Sequence, residues 1–274
     1  MKRAIVAAAL LLAGCGQHKD EGWLGYGEGE DAFIAAPQPG WVAKLAVKRG
    51  DDVKKSDLLF TLDDTQQAAA AAQAQATIAQ TKAQLAQAQS NYDYAAKEYA
   101  RQTKLVRADA GTQATLDLAK SNYQAASAAI AQARAQEAQA EAALTNASYQ
   151  LSQRDVVAQT SGRVEDIYFR SGEYAPAGTP VISVLPPENV YVRFFIPEKA
   201  LAHVHMGEPV LVTCDGCGKG LAATITFIAQ QEEFTPPVIF SVGNREKLVF
   251  KAEARAPGGL KLNPGEPVDV KPVP

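Results

Sequence analysis

Large apolar residues recur every seventh position through the middle of the chain. A first series runs Ile78, Leu85, Tyr92, Tyr99, Val106, and a second runs Leu116, Tyr123, Ile130, Leu144, Leu151, with Glu137 where another apolar residue is due. Three positions on, the second series is shadowed by Ala119, Ala126, Ala133, Ala140 and Ala147; the first has Ala74, Thr81, Ala88 and Ala95 in the same register. A repeat of 3.5 residues against 3.6 per turn predicts helices that supercoil left-handedly, with alanine letting the backbones approach closely. From Thr65 to Ser161 there is no proline, and Gly111 is the only glycine. Those two residues are the strongest helix breakers, so the stretch reads as helix interrupted once.

The two series mirror each other about Gly111: Val106 with Leu116, Tyr99 with Tyr123, Tyr92 with Ile130, Ile78 with Leu144. An antiparallel hairpin turning at Gly111 follows, with arms of about 42 residues and roughly 60 Å. The competing readings are a segment of a helical bundle or an unstructured Ala/Gln tract. The mirror registration of these layers favours the hairpin. A seam this thin buries little, so the hairpin is expected to lean on further copies of itself.

Alternation replaces the heptads on either side. Gly40-Trp41-Val42-Ala43-Lys44-Leu45 with Gly50-Asp51, and Gly162-Arg163-Val164-Glu165-Asp166-Ile167 with Gly172-Glu173, align at a constant offset of 122 that also carries Leu62 onto Val184. Period two followed by Gly-acid turns predicts short half-buried strands. Two related halves predict a flattened β-sandwich with internal pseudo-twofold symmetry. Beyond Pro186-Pro187, strand-like runs at Val190–Ile196, Ala223–Ala229, Leu248–Ala254 and Pro267–Val270, with turns between them, predict a small β-barrel.

The amino terminus bears on compartment. Met1-Lys2-Arg3, an apolar run from Ala4 to Leu12 and Ala13-Gly14-Cys15 have the form of a secretory signal, too short to span a bilayer. Leu12-Ala13-Gly14-Cys15 resembles the bacterial lipobox, in which the cysteine becomes the lipid-modified first residue; an ordinary signal peptide is the plainer alternative. Without Lys2 and Arg3 the 27 basic residues fall to 25 against 30 acidic ones, a balance of about −5 with no basic block, which argues against nucleic acid as a partner.

Two cysteines remain, in Cys214-Asp215-Gly216-Cys217. This spacing suits a redox pair or half a zinc site. Strand-like flanks and the Asp-Gly turn dipeptide favour a structural disulfide outside the cytoplasm. A metal site would have to recruit His203 and His205. The chain is poor in methionine, which counts against copper handling. No Ser/His/Asp set, phosphate loop or paired buried acids suggests an enzyme, and no cofactor is expected.

The split halves resemble the lipoyl or biotinyl carrier fold, opened at the turn that carries the modified lysine; residues 63–155 replace that turn, so no carrier function is expected. Lipobox, half a lipoyl fold, helical hairpin, second half and barrel together resemble the periplasmic adaptors, or membrane fusion proteins of the hemolysin-D type. The resemblance implies an elongated, multidomain α+β fold. In order, it has a lipoprotein signal (1–14), a lipidated tether with a first strand (15–33) and one lipoyl-like half (34–62). A coiled-coil hairpin follows (63–155, tip near 107–113), then the second half (156–186) and a β-barrel (187–274).

Adaptors that dock onto TolC-like outer-membrane channels carry an Arg-Leu-Ser pattern at the tip. Arg101, Leu105 and Thr112 stand at that spacing, threonine keeping the hydroxyl. Their plainer roles are a solvated charge, a seam residue and an N-cap. Residues 233–241 and 245–250 and the Cys-Asp-Gly-Cys turn resemble a subgroup partnered with ABC-type exporters.

The resemblance therefore implies an adaptor, hexameric as in the family, anchored by a lipid on Cys15 and bridging an inner-membrane ABC-type transporter to the channel. Gly16, where an inner-membrane lipoprotein of enteric bacteria has Asp, fits inner-membrane anchoring poorly. A coiled-coil spacer lipoprotein without a transporter and a metal-handling adaptor using Cys214, Cys217, His203 and His205 are the other readings.

Overall fold

The computed structural model describes residues 22–218, 220–234 and 248–273. The expected signal at 1–14, Cys15 and the tether to residue 21 lie outside them, as does the stretch 235–247.

The sandwich is built from eight strands in two sheets of four. The amino-terminal half supplies β2 (Ala32–Ala35), β3 (Gly40–Leu45), β4 (Asp52–Val53) and β5 (Leu58–Leu62); the second half supplies β6 (Asp155–Val157), β7 (Gly162–Ile167), β8 (Tyr174–Ala175) and β9 (Pro180–Leu185). The sheets run β2-β9-β7-β4 and β6-β5-β3-β8, so each contains strands of both halves and neither half closes a core alone. The offset of 122 governs hydrogen bonds as well as sequence. Gly50 N donates to Val164 O and Gly172 N to Val42 O, both at 2.8 Å. Lys48 N donates to the Asp51 carboxylate at 2.8 Å and Arg170 N to that of Glu173 at 2.9 Å. The core obeys it too: Ile34, Ala36, Val42, Val53, Leu59, Phe60 and Leu62 are matched by Val156, Ala158, Val164, Ala175, Val181, Ile182 and Val184.

Between β5 and β6 the chain leaves the sandwich as α1 (Thr65–Arg107) and returns as α2 (Gln113–Ser152). Ile78, Thr81, Ala95, Ala119, Ile130, Ala133 and Ala140 are buried, all of them members of the predicted seam. Tyr123 stacks on its mirror partner Tyr99 with ring centroids 5.6 Å apart and also lies 5.3 Å from Tyr92, whose hydroxyl bonds that of Tyr123 at 3.0 Å. At the root, the buried Arg154 donates from Nη1 to the Pro39 carbonyl at 3.0 Å, tying the end of α2 to the start of β3.

The barrel is closed, in the order β1-β10-β13-β12-β11-β14. Its strands are β1 (Trp23–Gly29), β10 (Val190–Pro197), β11 (Pro209–Thr213), β12 (Leu221–Phe234), β13 (Leu248–Arg255) and β14 (Pro267–Pro272), with a one-turn helix α3 (Glu198–Leu201) after β10. The expected bounds of 187–274 need one correction: β1, placed in the tether, is a barrel strand lying between β10 and β14. A first strand was expected in this stretch; its place in the barrel was not, because both of its partners lie far along the chain. A Cβ on Gly25 would stand 2.5 Å from the Arg193 carbonyl oxygen, so close packing and not looseness puts glycine there. Arg193 on β10 clasps the joint, meeting Glu28 of β1 at 2.6 Å and Glu253 of β13 at 3.1 Å. Tyr191 donates its hydroxyl to Glu28 at 2.5 Å. Burial first, and this bond second, hold its phenol protonated well above the usual range.

Candidate functional site

The free end of the hairpin is the candidate site. After Arg107 the chain turns through Ala108 to Thr112. Ala110 N donates to Leu105 O at 2.9 Å and Asp109 N to Val106 O at 3.1 Å. The left-handed residue of this turn is Asp109 (φ 55°) and not Gly111. Glycine at 111 answers crowding instead: a Cβ there would stand 3.2 Å from both Leu105 Cβ and Val106 Cγ2.

Arg101 and Leu105 lie one helical turn apart in the last turns of α1, on one stripe of its surface. The Arg101 side chain is 67% exposed while bonded to Glu98 at 2.5 Å. Glu98 also accepts from Gln102 Nε2 at 2.8 Å. The bonds from Arg101 and Gln102 hold the Glu98 carboxyl below its usual range, and Glu98 in turn raises the Arg101 guanidinium above its own. Leu105 is 37% exposed, an aliphatic group at the rim rather than in the seam. Thr112 caps α2, its hydroxyl accepting from Thr115 N at 3.2 Å. One end of the rod thus carries a cation, an exposed leucine and a capping hydroxyl.

Two further residues belong to this end. Tyr94 (72% exposed) continues the stripe toward the root, since Tyr94, Glu98, Arg101 and Leu105 follow one another by four, three and four. Leu118 (63% exposed) lies on the first turns of α2. Asn91, Tyr94, Glu98 and Asn122 wall a groove of about 330 Å³ whose floor is Ala95, Ala119 and Ala126. The signal for Tyr94 was in the sequence: an aromatic residue off the heptad seam.

The cysteines sit elsewhere. Cys214 and Cys217 form a disulfide in the link between β11 and β12, with a Glu266 carboxylate oxygen within 4.8 Å of their sulfurs. His203 and His205 precede β11, at the other end of a five-residue strand about 17 Å long. His205 bonds Glu208 at 3.0 Å. The four residues of the metal reading are therefore not brought together. Among the described residues, no helix is long and apolar enough to cross a membrane.

No protein-family model matches the chain. It is 30% identical over 251 residues to a UPF0194 membrane protein of Yersinia pseudotuberculosis, a match covering 77% of this chain and 76% of the relative. It is 29% identical over 231 residues to the Escherichia coli protein YdhJ (82% and 76%). It is 29% identical over 236 residues to the multidrug export protein EmrA of E. coli (72% and 60%). Among solved structures it is similar to MacA of Actinobacillus actinomycetemcomitans, with a TM-score of 0.70 at 23% identity over 91% of this chain and 78% of that one. It is also similar to the membrane fusion protein Spr0693 of Streptococcus pneumoniae, with a TM-score of 0.56 at 17% identity over 91% and 97%. Kinship in sequence with the UPF0194 membrane proteins, joined to the same succession of split sandwich, hairpin and barrel, makes this chain a member of the membrane fusion proteins, the periplasmic adaptors.

Proposed function

We propose that the chain is the adaptor of a tripartite export system, joining an inner-membrane transporter of the ABC type to a TolC-like outer-membrane channel. Several copies, six in a closed ring, stand with their hairpins side by side, which offsets the small area that each alanine seam buries by itself. A lipid on Cys15 holds the barrel end at the inner membrane, and the hairpin tips meet the channel. The work is mechanical: the protein aligns two pores and seals the gap between them, with no catalysis of its own. Export as the process is supported by kinship with a multidrug export protein. The ABC-type partner rests on the resemblance of residues 233–241 and 245–250, most of which lie outside the described residues, and of the Cys-Asp-Gly-Cys turn.

The observation that carries the reading is the tip. Arg101 and Leu105 share one exposed stripe, and Thr112 opens the returning helix beside it. Arg101 can exchange Glu98 for carboxylates or carbonyls of the channel, and Leu105 can enter a groove between its helices. Capture of a purified TolC-like channel on immobilised adaptor tests this. Arg101→Asp and Leu105→Ser are each expected to reduce capture at least tenfold, about 1.4 kcal/mol, and undiminished capture by both would remove the docking role.

A further inference from the structure

The pairing of β11 with β14 carries two turns to the same mouth of the barrel. Thr213, the last residue of β11, stands opposite Asp269 of β14, and its hydroxyl donates to the Asp269 carbonyl at 3.2 Å. Continued past Thr213, this antiparallel register brings Cys214–Cys217 beside Glu266, the residue before β14. The backbone of Glu266 is fixed from two sides, its N–H donating to Asn263 O at 3.0 Å and its carbonyl accepting from Gly27 N of β1 at 2.8 Å. Its side chain is aimed as well. Oε2 accepts from Asn263 N at 3.0 Å and from Asn263 Nδ2 at 3.4 Å, and among the described residues nothing bonds Oε1. Both cysteines are half-buried against the barrel core, and their sulfurs and a Glu266 carboxylate oxygen all lie within 4.8 Å of one another. Among the described residues this is the one place where three metal-ligating side chains converge.

We propose that Cys214, Cys217 and Glu266 form a redox-gated site for a thiophilic divalent cation, of which Zn²⁺ fits best. In the oxidised protein the sulfurs are bonded to each other and are not ligands. A dithiol reductant opens the site: two electrons and two protons pass to Cys214–Cys217, the S–S bond breaks to two thiols, and the dithiol closes to its own disulfide. Binding of Zn²⁺ then releases the two thiol protons, and two thiolates and the Glu266 carboxylate hold the ion with water in the fourth position. Bonds of about 2.3 Å to sulfur and 2.0–2.2 Å to oxygen place tetrahedral donors about 3.6–3.8 Å apart. The freed sulfurs spread to that separation and the carboxylate closes on them, movements that side-chain rotation at two turns supplies. Two thiolates select against Ca²⁺ and Mg²⁺, which take oxygen ligands. Asn263 acts on Glu266 as an outer partner does at such sites, occupying one oxygen and presenting the other. The disulfide bridges residues three apart and ties the β11–β12 link only to itself. The metal ties that link to the start of β14.

The test uses the full chain with Cys15→Ser, which leaves Cys214 and Cys217 as its only thiols. The protein is reduced with dithiothreitol, freed of it without air, and titrated with Co²⁺. Thiolate-to-cobalt charge transfer and the visible bands of a tetrahedral ion are expected at about one ion per chain, with Zn²⁺ bleaching both. The oxidised protein is expected to give neither. Glu266→Gln keeps the cysteines and is expected to weaken Zn²⁺ binding at least about tenfold in competition with a chromophoric chelator. Cys217→Ser is expected to abolish the charge-transfer band. Amide exchange reports the tie itself: Zn²⁺ added to the reduced protein should slow exchange at Gly265 and Glu266 as well as at 214–217. Reduced protein that binds neither ion would overturn the site. Undiminished affinity in Glu266→Gln, with no slowing at Gly265 and Glu266, would mean a bare thiolate pair and overturn the three-donor assignment. Equal binding by the oxidised protein would put the metal elsewhere and overturn the redox gate.

Discussion

Ser56 and Gly178 occupy the same place in the two halves of the sandwich, 122 residues apart, with φ of 76° and 77°. Each backbone N–H or carbonyl around them has its counterpart: Ser56 N donates to Ala158 O at 2.8 Å, Gly178 N to Ala36 O at 2.9 Å. One half uses the residue suited to the left-handed region and the other does not. A side chain there costs about 1–2 kcal/mol, offset in part by the greater freedom of glycine in the unfolded chain. Ser56→Gly is therefore expected to stabilise the sandwich by about 0.5–1 kcal/mol, and Gly178→Ser to destabilise it by a similar amount. Urea titration followed by Trp41 fluorescence measures both; a loss on Ser56→Gly would mean that the serine side chain has a role the backbone does not reveal.

The Tyr92–Tyr123 hydroxyl pair gives the hairpin a pH dependence. The bond from Tyr123 raises the Tyr92 phenol above its ordinary 10.0. The unfolded chain therefore loses this proton first as pH rises. The contribution is fully present below pH 10 and declines as pH climbs through the folded-state value, so the hairpin loses stability on the alkaline side. Helical signal at 222 nm during thermal melts between pH 9 and 11 should show a falling midpoint for the native protein, and a shallower fall for Tyr92→Phe. Equal slopes would place the alkaline sensitivity elsewhere.

Arg193 holds three barrel strands together, and its removal strands two carboxylates. With Arg193→Ala, Glu28 and Glu253 lose their shared cation. Breaking a buried pair from one side costs about 3–5 kcal/mol; with the side chain a quarter exposed, about 2 kcal/mol is expected. Trp23 of β1 stacks on Phe194 with centroids 5.7 Å apart, so its fluorescence reports the release of that strand. Faster amide exchange along Trp23–Gly29, with the sandwich strands unaffected, is the expected signature.

The parts legible from sequence were those whose period is local. Seam residues such as Ile78 and Ile130 declare themselves every seven positions, and the repeated half-sandwich declares itself at a fixed offset. What escaped depended on partners distant along the chain. Trp23–Gly29 reads as a strand within a glycine-rich tether, and its place in the barrel follows only from β10 and β14 flanking it on both sides. That Glu266 lies beside Cys214 and Cys217 follows only once β11 and β14 are known to pair. At the tip, the spacing of Arg101, Leu105 and Thr112 was visible; the Glu98 partner of Arg101 and the left-handed turn at Asp109 were not, because several placements of a turn fit the same five residues.

Thr112 caps α2 and also belongs to the proposed docking surface, and substitution can separate the two roles. As N-cap it satisfies Thr115 N, a bond whose loss costs about 1 kcal/mol. Thr112→Ser keeps both the cap and the hydroxyl, so helix stability and channel capture should each survive. Thr112→Asp keeps a capping oxygen and suits the positive end of a helix, while removing the donor and adding a negative charge at the contact surface; the first turn of α2 should hold and capture should fall. Thr112→Ala loses both. Amide exchange at residues 114–116, measured beside capture by a TolC-like channel, resolves the cases. If the alanine protein frays in that turn and still captures the channel as the native protein does, Thr112 serves the helix alone, and docking belongs to the Arg101–Leu105 stripe.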